Sequence, residues 1–250
     1  MPPIDAKDFL ALFDLPPKKA LEFLKELGIE PAWSWDDMIA DARKRSFIIS
    51  KVMAADVLQD VKTEIESAVA DGMPFADFKK KVRERLAARG WLGERPVKDP
   101  ETGKTVGVDI STPYRLELIF RQNTQDALNA GRYVGQLENI TTRPYGQYSA
   151  IRDRRTTSQC LNRDGVILPL DDPWWDENYP ANHFRCRARV TTLSESQLER
   201  RGLAITPFDK LDKLPPLAAA FKRKPTDVYE PDLSKYDPKI RKQLKEALSP

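Results

Sequence analysis

Over the first ninety residues, apolar side chains recur every third or fourth position, the period of helices that bury one face. "PPKKALEFLKELG" opens on Pro16 and Pro17, places Leu21, Leu24 and Leu27 on one stripe, and reaches Gly28. It predicts a short helix with proline in its first turn and glycine as its stop. Next, Ser34, Asp36 and Asp37 offer a cap and an acidic first turn to a longer stripe of Ile39, Ala42, Phe47, Val52, Ala55, Leu58, Val61, Ile65 and Val69. This predicts one long helix, or two in line, ending at Gly72. A further helix follows, with Phe75, Phe78, Val82 and Leu86 inward and Lys79–Lys81, Arg83 and Arg85 on a solvated face.

Residues 93–107, rich in Gly, Pro and charge, read as a loop or small hairpin and a boundary. Beyond it, "TPYRLELIFRQNTQDALNAGRYVGQLEN" keeps Leu116, Ile119, Phe120, Ala127 and Val134 to one side of a helix. Arg115, Arg121, Asn123, Thr124 and Asn129 stand between them, a polar face that suits a site or an ion-pair network. The period then shortens. "YGQYSAI", "GVILPL" and "CRARVTTL" predict three strands, and "SESQLERRGL" a last short helix. From residue 206 prolines punctuate the chain, and too few apolar residues remain for an independent core. This segment is expected to be an extended arm that orders on a neighbour, with a short helix near 238–248. The reading is an α+β fold: a helical region at 1–92, a linker at 93–107, a compact domain with a small sheet at 108–205, and a Pro-rich arm at 206–250.

Composition sharpens this picture in two places. No window approaches the roughly 18 apolar residues of a membrane span, and acids interrupt the apolar N-terminal stretch, so neither a span nor a signal peptide is predicted. The net charge of +3 does not mark a nucleic-acid binder, but between residues 105 and 209 every basic residue is arginine, never lysine. Guanidinium pairs carboxylate or phosphate through a planar fork, so this third of the chain reads as laced with ion pairs, with phosphate contact as the other use.

Two cysteines are too few for a disulfide scaffold, yet both, with the lone histidine, fall within residues 160–186. Cys160, His183 and Cys186 have the types to hold zinc through mixed sulfur and nitrogen. Cys160 and His183, with Asn182 or Asp153 as orienting group, have the types of a nucleophile and its base. A redox disulfide, or plain packing of small apolar thiols beside a hydrogen-bonded imidazole, completes the alternatives. Spacing does not choose among them.

The succession Asp153, Arg155-Thr156, Cys160, Asp164-Gly165, "LPLDDPWW", Pro180, His183 and Cys186-Arg187 resembles the signature of the phage Mu protein F-like family of minor head proteins, the phage head morphogenesis proteins. The helix ending Asn129-Ala130-Gly131-Arg132 and much of the N-terminal region resemble it too, covering roughly residues 30–192. The resemblance implies a minor capsid protein, not an enzyme, of a tailed phage or prophage. It would act with the portal in procapsid assembly, in the host cytoplasm and then in the virion, without a membrane. Implied partners are the portal protein, the scaffold or major capsid protein, and packaged double-stranded DNA. The signature positions Arg115, Arg121, Asn129, Arg132, Asp153, Arg155 and Arg187 are the candidate binding residues. A phosphate-ester or Cys/His-dependent enzyme of the phage head and a general DNA-binding module are the rival functions.

One position departs from the family's pattern. Where it commonly reads Cys-Arg-Cys, this chain has Cys186-Arg187-Ala188, which argues against an obligatory four-ligand metal. The expectation is therefore no cofactor, with zinc on Cys160, His183 and Cys186 as the alternative. Most of the signature then reads as fastening. Asp153 and Arg155 fix a turn, Gly165 supplies a hairpin conformation, His183 and Arg187 tie the last strand to the polar helix through Asp153 or Asn129, and Trp174 and Trp175 cover one end of the sheet.

Overall fold

Helix α1 (Pro17–Glu26) follows its predicted stripe, with Ala20 and Leu24 buried. The computed structural model describes residues 17–29, 46–47, 54–99, 102–218, 221–222 and 224–226. Of the helix expected over 34–54, Ser46 and Phe47 form a strand instead, and most of the rest lies outside these residues, as do the remainder of the arm and its helix near 238–248. Gly28 is not the left-handed stop of α1. It opens β1 (Gly28–Ile29), which pairs in parallel with β2 (Ser46–Phe47), so extended strand pairing replaces the helix cap.

Helix α2 (Ala55–Asp71) ends where predicted, because Gly72 takes φ 63° and its N–H returns to the Ala68 carbonyl. Helix α3 (Phe75–Ala88) buries Phe78, Val82 and Leu86 as expected. Its basic face is largely solvated as expected, with Lys80, Lys81 and Arg85 exposed, and its arginines also find partners. Arg83 donates to the Ser111 carbonyl, Arg85 lies 2.6 Å from Glu64, and Arg89, just beyond the helix, reaches Asp60 and Asp56. The acids of α2 stand opposite them, a register that a single helix's periodicity cannot reveal. Strands β3 (Arg95–Lys98) and β4 (Thr105–Val108) form an antiparallel hairpin in the predicted linker, and Val108 enters the core.

Thr112 caps the 26-residue helix α4 (Pro113–Glu138), accepting the Arg115 N–H, with proline in the first turn. This helix joins the two halves. Leu116, Ile119 and Ala127 share a core with α1, α2 and α3, while Tyr133 belongs to a second core under the sheet. At Gly131 the backbone of α1 passes so close that an added Cβ would lie 2.8 Å from the Ala20 nitrogen.

The sheet is antiparallel in the order β6 (Ile167–Pro169), β5 (Tyr145–Ser149), β7 (Arg189–Leu193). Its connections carry α5 (Ser158–Arg163) and α6 (Trp174–Asn178). Trp175 is fully buried and donates its indole N–H to the Pro169 carbonyl, so this tryptophan is a core element beneath the sheet more than a lid on its end. Gly146 of β5 is needed there, since a Cβ would meet the Trp175 ring at 2.9 Å. Helix α7 (Glu195–Arg201) begins with a capping box of Ser194 and Gln197 and stops at left-handed Gly202.

After residue 205 the chain lies on its own domain for as far as it is described. Thr206 exchanges two hydrogen bonds with Ile167, and the short helix α8 (Phe208–Leu211) inserts Leu211 into the second core. Leu217 and Phe221 are also buried, Arg163 donates to the Pro215 carbonyl, and Lys222 and Lys224 pair with Glu177 and Asp176. These few apolar residues cannot make a core alone, but they complete one that already exists. Among the described residues, no helix is long and apolar enough to cross a membrane.

Candidate functional site

The signature residues sit where β5, α5 and the 179–188 loop meet α4. Alternation along β5 points Gly146 and Tyr148 inward, and Tyr148 is completely buried. Its hydroxyl donates to Asn182 Oδ1 at 2.6 Å and lies 3.3 Å from Cys160 Sγ. Helix α5 presents Cys160, and the loop preceding β7 returns His183 and Cys186 to it. Cys160 Sγ stands 3.1 Å from His183 Nε2 and 3.6 Å from Cys186 Sγ, and the three potential ligand atoms lie within 4.8 Å of one another. Both thiols are free and buried, while the imidazole is half-buried.

Electrostatics divides the two sulfurs. Hydrogen bonding from Cys186 pulls the Cys160 thiol below the ordinary range, and the facing His183 adds to this against the opposing effect of burial. Cys186 is pushed up correspondingly, chiefly because it donates to Cys160 and is buried. The hydrogen bond with Cys160 raises the His183 pKa. The cluster therefore favours a single thiolate beside an imidazolium.

The orienting group expected of a catalytic triad is not in place. His183 Nδ1 faces the Phe184 carbonyl at 2.8 Å, not Asn182 or Asp153. Asn182 accepts from Tyr148 and donates to the Asn178 and Tyr179 carbonyls. Asp153 accepts the Arg155 N–H at 2.9 Å and both terminal nitrogens of Arg187, a two-pronged bridge that holds its carboxyl well below the usual carboxylate range. Arg187 meets Asp153 as expected, but the bridge fastens the approach to β7 to the turn after β5 and not to the polar helix α4. His183 does not reach α4, as the fastening reading would have it, and serves the cysteines instead.

Asn129 makes the tie to α4. It is buried, donates to the Pro180 carbonyl at 3.0 Å, and accepts from Gln125 and Arg132. Burial pulls the Arg132 pKa down. One turn further, Gln136 donates to the Val190 carbonyl and accepts from the Tyr179 hydroxyl. Two of the sequence-derived candidates stand apart. Arg121 pairs with Glu117 on an exposed part of α4, and Arg115 lies near that helix's start. Sequence reasoning missed Tyr148, Gln136 and Arg163. The inward positions of β5 signalled the first, whereas nothing local marks polar residues whose partners lie about fifty positions away.

The family described as Phage Mu protein F like protein matches residues 59–191. The chain belongs to that family. It is 33% identical over 192 residues to the putative capsid assembly protein F of Escherichia phage Mu, covering 77% of this chain and 44% of that protein. It is 37% identical over 177 residues to the Mu-like prophage FluMu F protein of Haemophilus influenzae, covering 71% of this chain and 42% of that one. The chain thus spans less than half the length of the curated Mu F relatives it matches. No solved structure matches it. The match runs from α2 into β7, so α4 and most of both cores fall within the stretch this Mu F-like chain shares with the family, while Ala20, Leu24, Val57, Leu58 and Leu211 lie outside it.

Proposed function

We propose that this chain is a minor capsid-assembly component of a tailed phage or prophage that works by docking, with the portal protein as its main partner. Scaffold or major capsid protein would be a further contact, and the route would run from host cytoplasm to virion. One observation carries the reading beyond family membership: the signature side chains are spent on internal ties. Asp153 is closed by Arg187, and Asn129 by Pro180, Gln125 and Arg132. Side chains spent on such ties define a rigid body whose outer surface meets partners. Exposed Tyr114, Ile205 and Phe208 supply apolar area for that purpose.

The rivals are less well supported. The Cys/His enzyme reading has Asn182 or Asp153 orienting His183, and neither reaches it, since Asn182 pairs with Tyr148 and Asp153 with Arg187. A general DNA-binding module needs a continuous arginine face. Arg85, Arg89, Arg121, Arg152, Arg155 and Arg187 each stand within ion-pair distance of an acid.

Retention of the purified full-length chain on immobilised portal, scaffold and major capsid protein in turn tests the proposal. Selective retention on portal is the expected result. Retention on none of the three overturns the docking reading. A chain ending after Thr226 asks separately about residues 227–250, because it keeps the segment that packs on the domain.

A further inference from the structure

The cluster of Cys160, His183 and Cys186 is more than three small residues packed together. We propose that these three side chains bind one zinc ion, a structural cross-link that pins α5 to the loop leading into β7. Nothing in this inference depends on the docking reading.

Geometry is the first support. With Zn–S near 2.3 Å and Zn–N near 2.0–2.1 Å, the edges of a tetrahedron come to about 3.8 Å between sulfurs and about 3.5 Å between sulfur and nitrogen. The structure holds the corresponding atoms at 3.6 Å and 3.1 Å, and all three within 4.8 Å. An ion enters once the two measured edges widen by a few tenths of an ångström, about 0.2–0.4 Å against those ideal edges.

The surroundings are the second support. A zinc-bound imidazole usually donates its remote N–H to a carbonyl or carboxylate, which fixes the ring and leaves the other nitrogen for the metal. His183 does this, with Nδ1 at 2.8 Å from the Phe184 carbonyl and Nε2 toward the sulfurs. Cys186 receives backbone hydrogen bonds from Asn182 and Ala188, and the Tyr148 hydroxyl lies beside Cys160. Two thiolates and Zn²⁺ sum to zero charge, which a site with both sulfurs buried tolerates. The donors themselves choose the metal: thiolate and imidazole suit zinc, whereas magnesium and calcium take oxygen.

Ala188 now has a different meaning. The lost cysteine leaves three protein ligands, and the fourth position falls to water or to an oxygen donor at the half-exposed His183 edge. The Thr157 hydroxyl, 2.9 Å from Nε2, is already there. On binding, zinc takes the place of the protons on Nε2 and Cys186 Sγ, with no change of oxidation state. No oxidant is needed, unlike a Cys160–Cys186 disulfide, whose sulfurs would have to close to about 2.05 Å.

The test uses full-length protein purified without chelators. Its metal content is measured by mass spectrometry, and the metal-free protein is then titrated with Co²⁺. About one zinc per chain, with a cobalt–thiolate charge-transfer band and visible bands of tetrahedral cobalt, is the expected result. Cys186→Ala and His183→Gln should bind cobalt more than about 100-fold more weakly, beyond the roughly 10–100-fold that loss of a supporting partner brings. Arg154→Ala, at an exposed position outside the cluster, should still bind. The wild-type measurement carries the decision, so a variant that fails to fold does not blunt it. Wild-type protein that holds no metal, stays colourless with cobalt and shows two free thiols on unfolding overturns the proposal. Isolation of a Cys160–Cys186 disulfide in the protein as purified, before any metal is removed, overturns it as well.

Discussion

Replacing Gly131 with alanine sets two effects of opposite sign against each other. Gly131 lies inside the 26-residue helix α4, where intrinsic propensity favours alanine by about 1 kcal/mol. The added Cβ would stand 2.8 Å from Ala20 N, 3.2 Å from Ala20 Cα and 3.3 Å from Lys19 C. All three are backbone atoms of α1, which no side-chain rotation can remove. Overpacking of this kind costs about 1–3 kcal/mol, and the upper half applies where the obstacle is another helix's backbone. The net effect is a loss of about 1–2 kcal/mol, or a fall in Tm of about 2–8 °C for a domain of this size. Far-UV circular dichroism melts and urea titrations of wild type and Gly131→Ala supply the measurement. A variant as stable as wild type, or more so, refutes the close seating of α1 on α4, because propensity would then be acting alone.

Tyr148→Phe leaves buried Asn182 Oδ1 without its 2.6 Å donor, so denaturant unfolding should show a loss of about 1–3 kcal/mol; an unchanged midpoint contradicts that bond. Leu211→Ala should cost about 2–4 kcal/mol if residues after 205 complete the second core, whereas no change in the urea midpoint means that the segment orders elsewhere. Asp153 titrates below its unfolded value of about 3.9, so its bridge to Arg187 contributes fully above that pH and is lost as pH falls through the folded value. The stability gap between wild type and Asp153→Asn should therefore hold steady at about pH 5–8 and shrink below about pH 4; a gap that widens on acidification refutes the bridge.

Several elements were readable because a local pattern was enough. The stripe of Phe78, Val82 and Leu86, the stop at Gly72 and the short helix in "SESQLERRGL" rest on short-range patterns, and each forms as predicted. Gly28 was misread because a glycine after a helix also suits an extended strand, and the pairing with Ser46 lies outside any local window. The basic face of α3 is solvated as read, but its pairing of Arg85 with Glu64 was not legible, since Glu64 belongs to another helix. At the site, residue types named the three members of the cluster but left their role open. Cys160 and Cys186 are 26 residues apart, and only the fold brings their sulfurs to 3.6 Å.

By itself, the sequence determined the α+β class, the helical stripes, the three strands and the signature order that marks the family, all carried by spacing along one chain. Tertiary structure decided which polar residues meet. It turned Asn129 toward Pro180 and Asp153 toward Arg187, and it set His183 Nε2 beside the sulfurs with Nδ1 held by a carbonyl. It also laid Leu211 against the sheet domain rather than leaving it on a free arm. Hydrophobic period is a property of neighbouring residues and survives in the sequence. Hydrogen-bond and ligand geometry depends on atoms dozens of residues apart and exists only once the chain has packed.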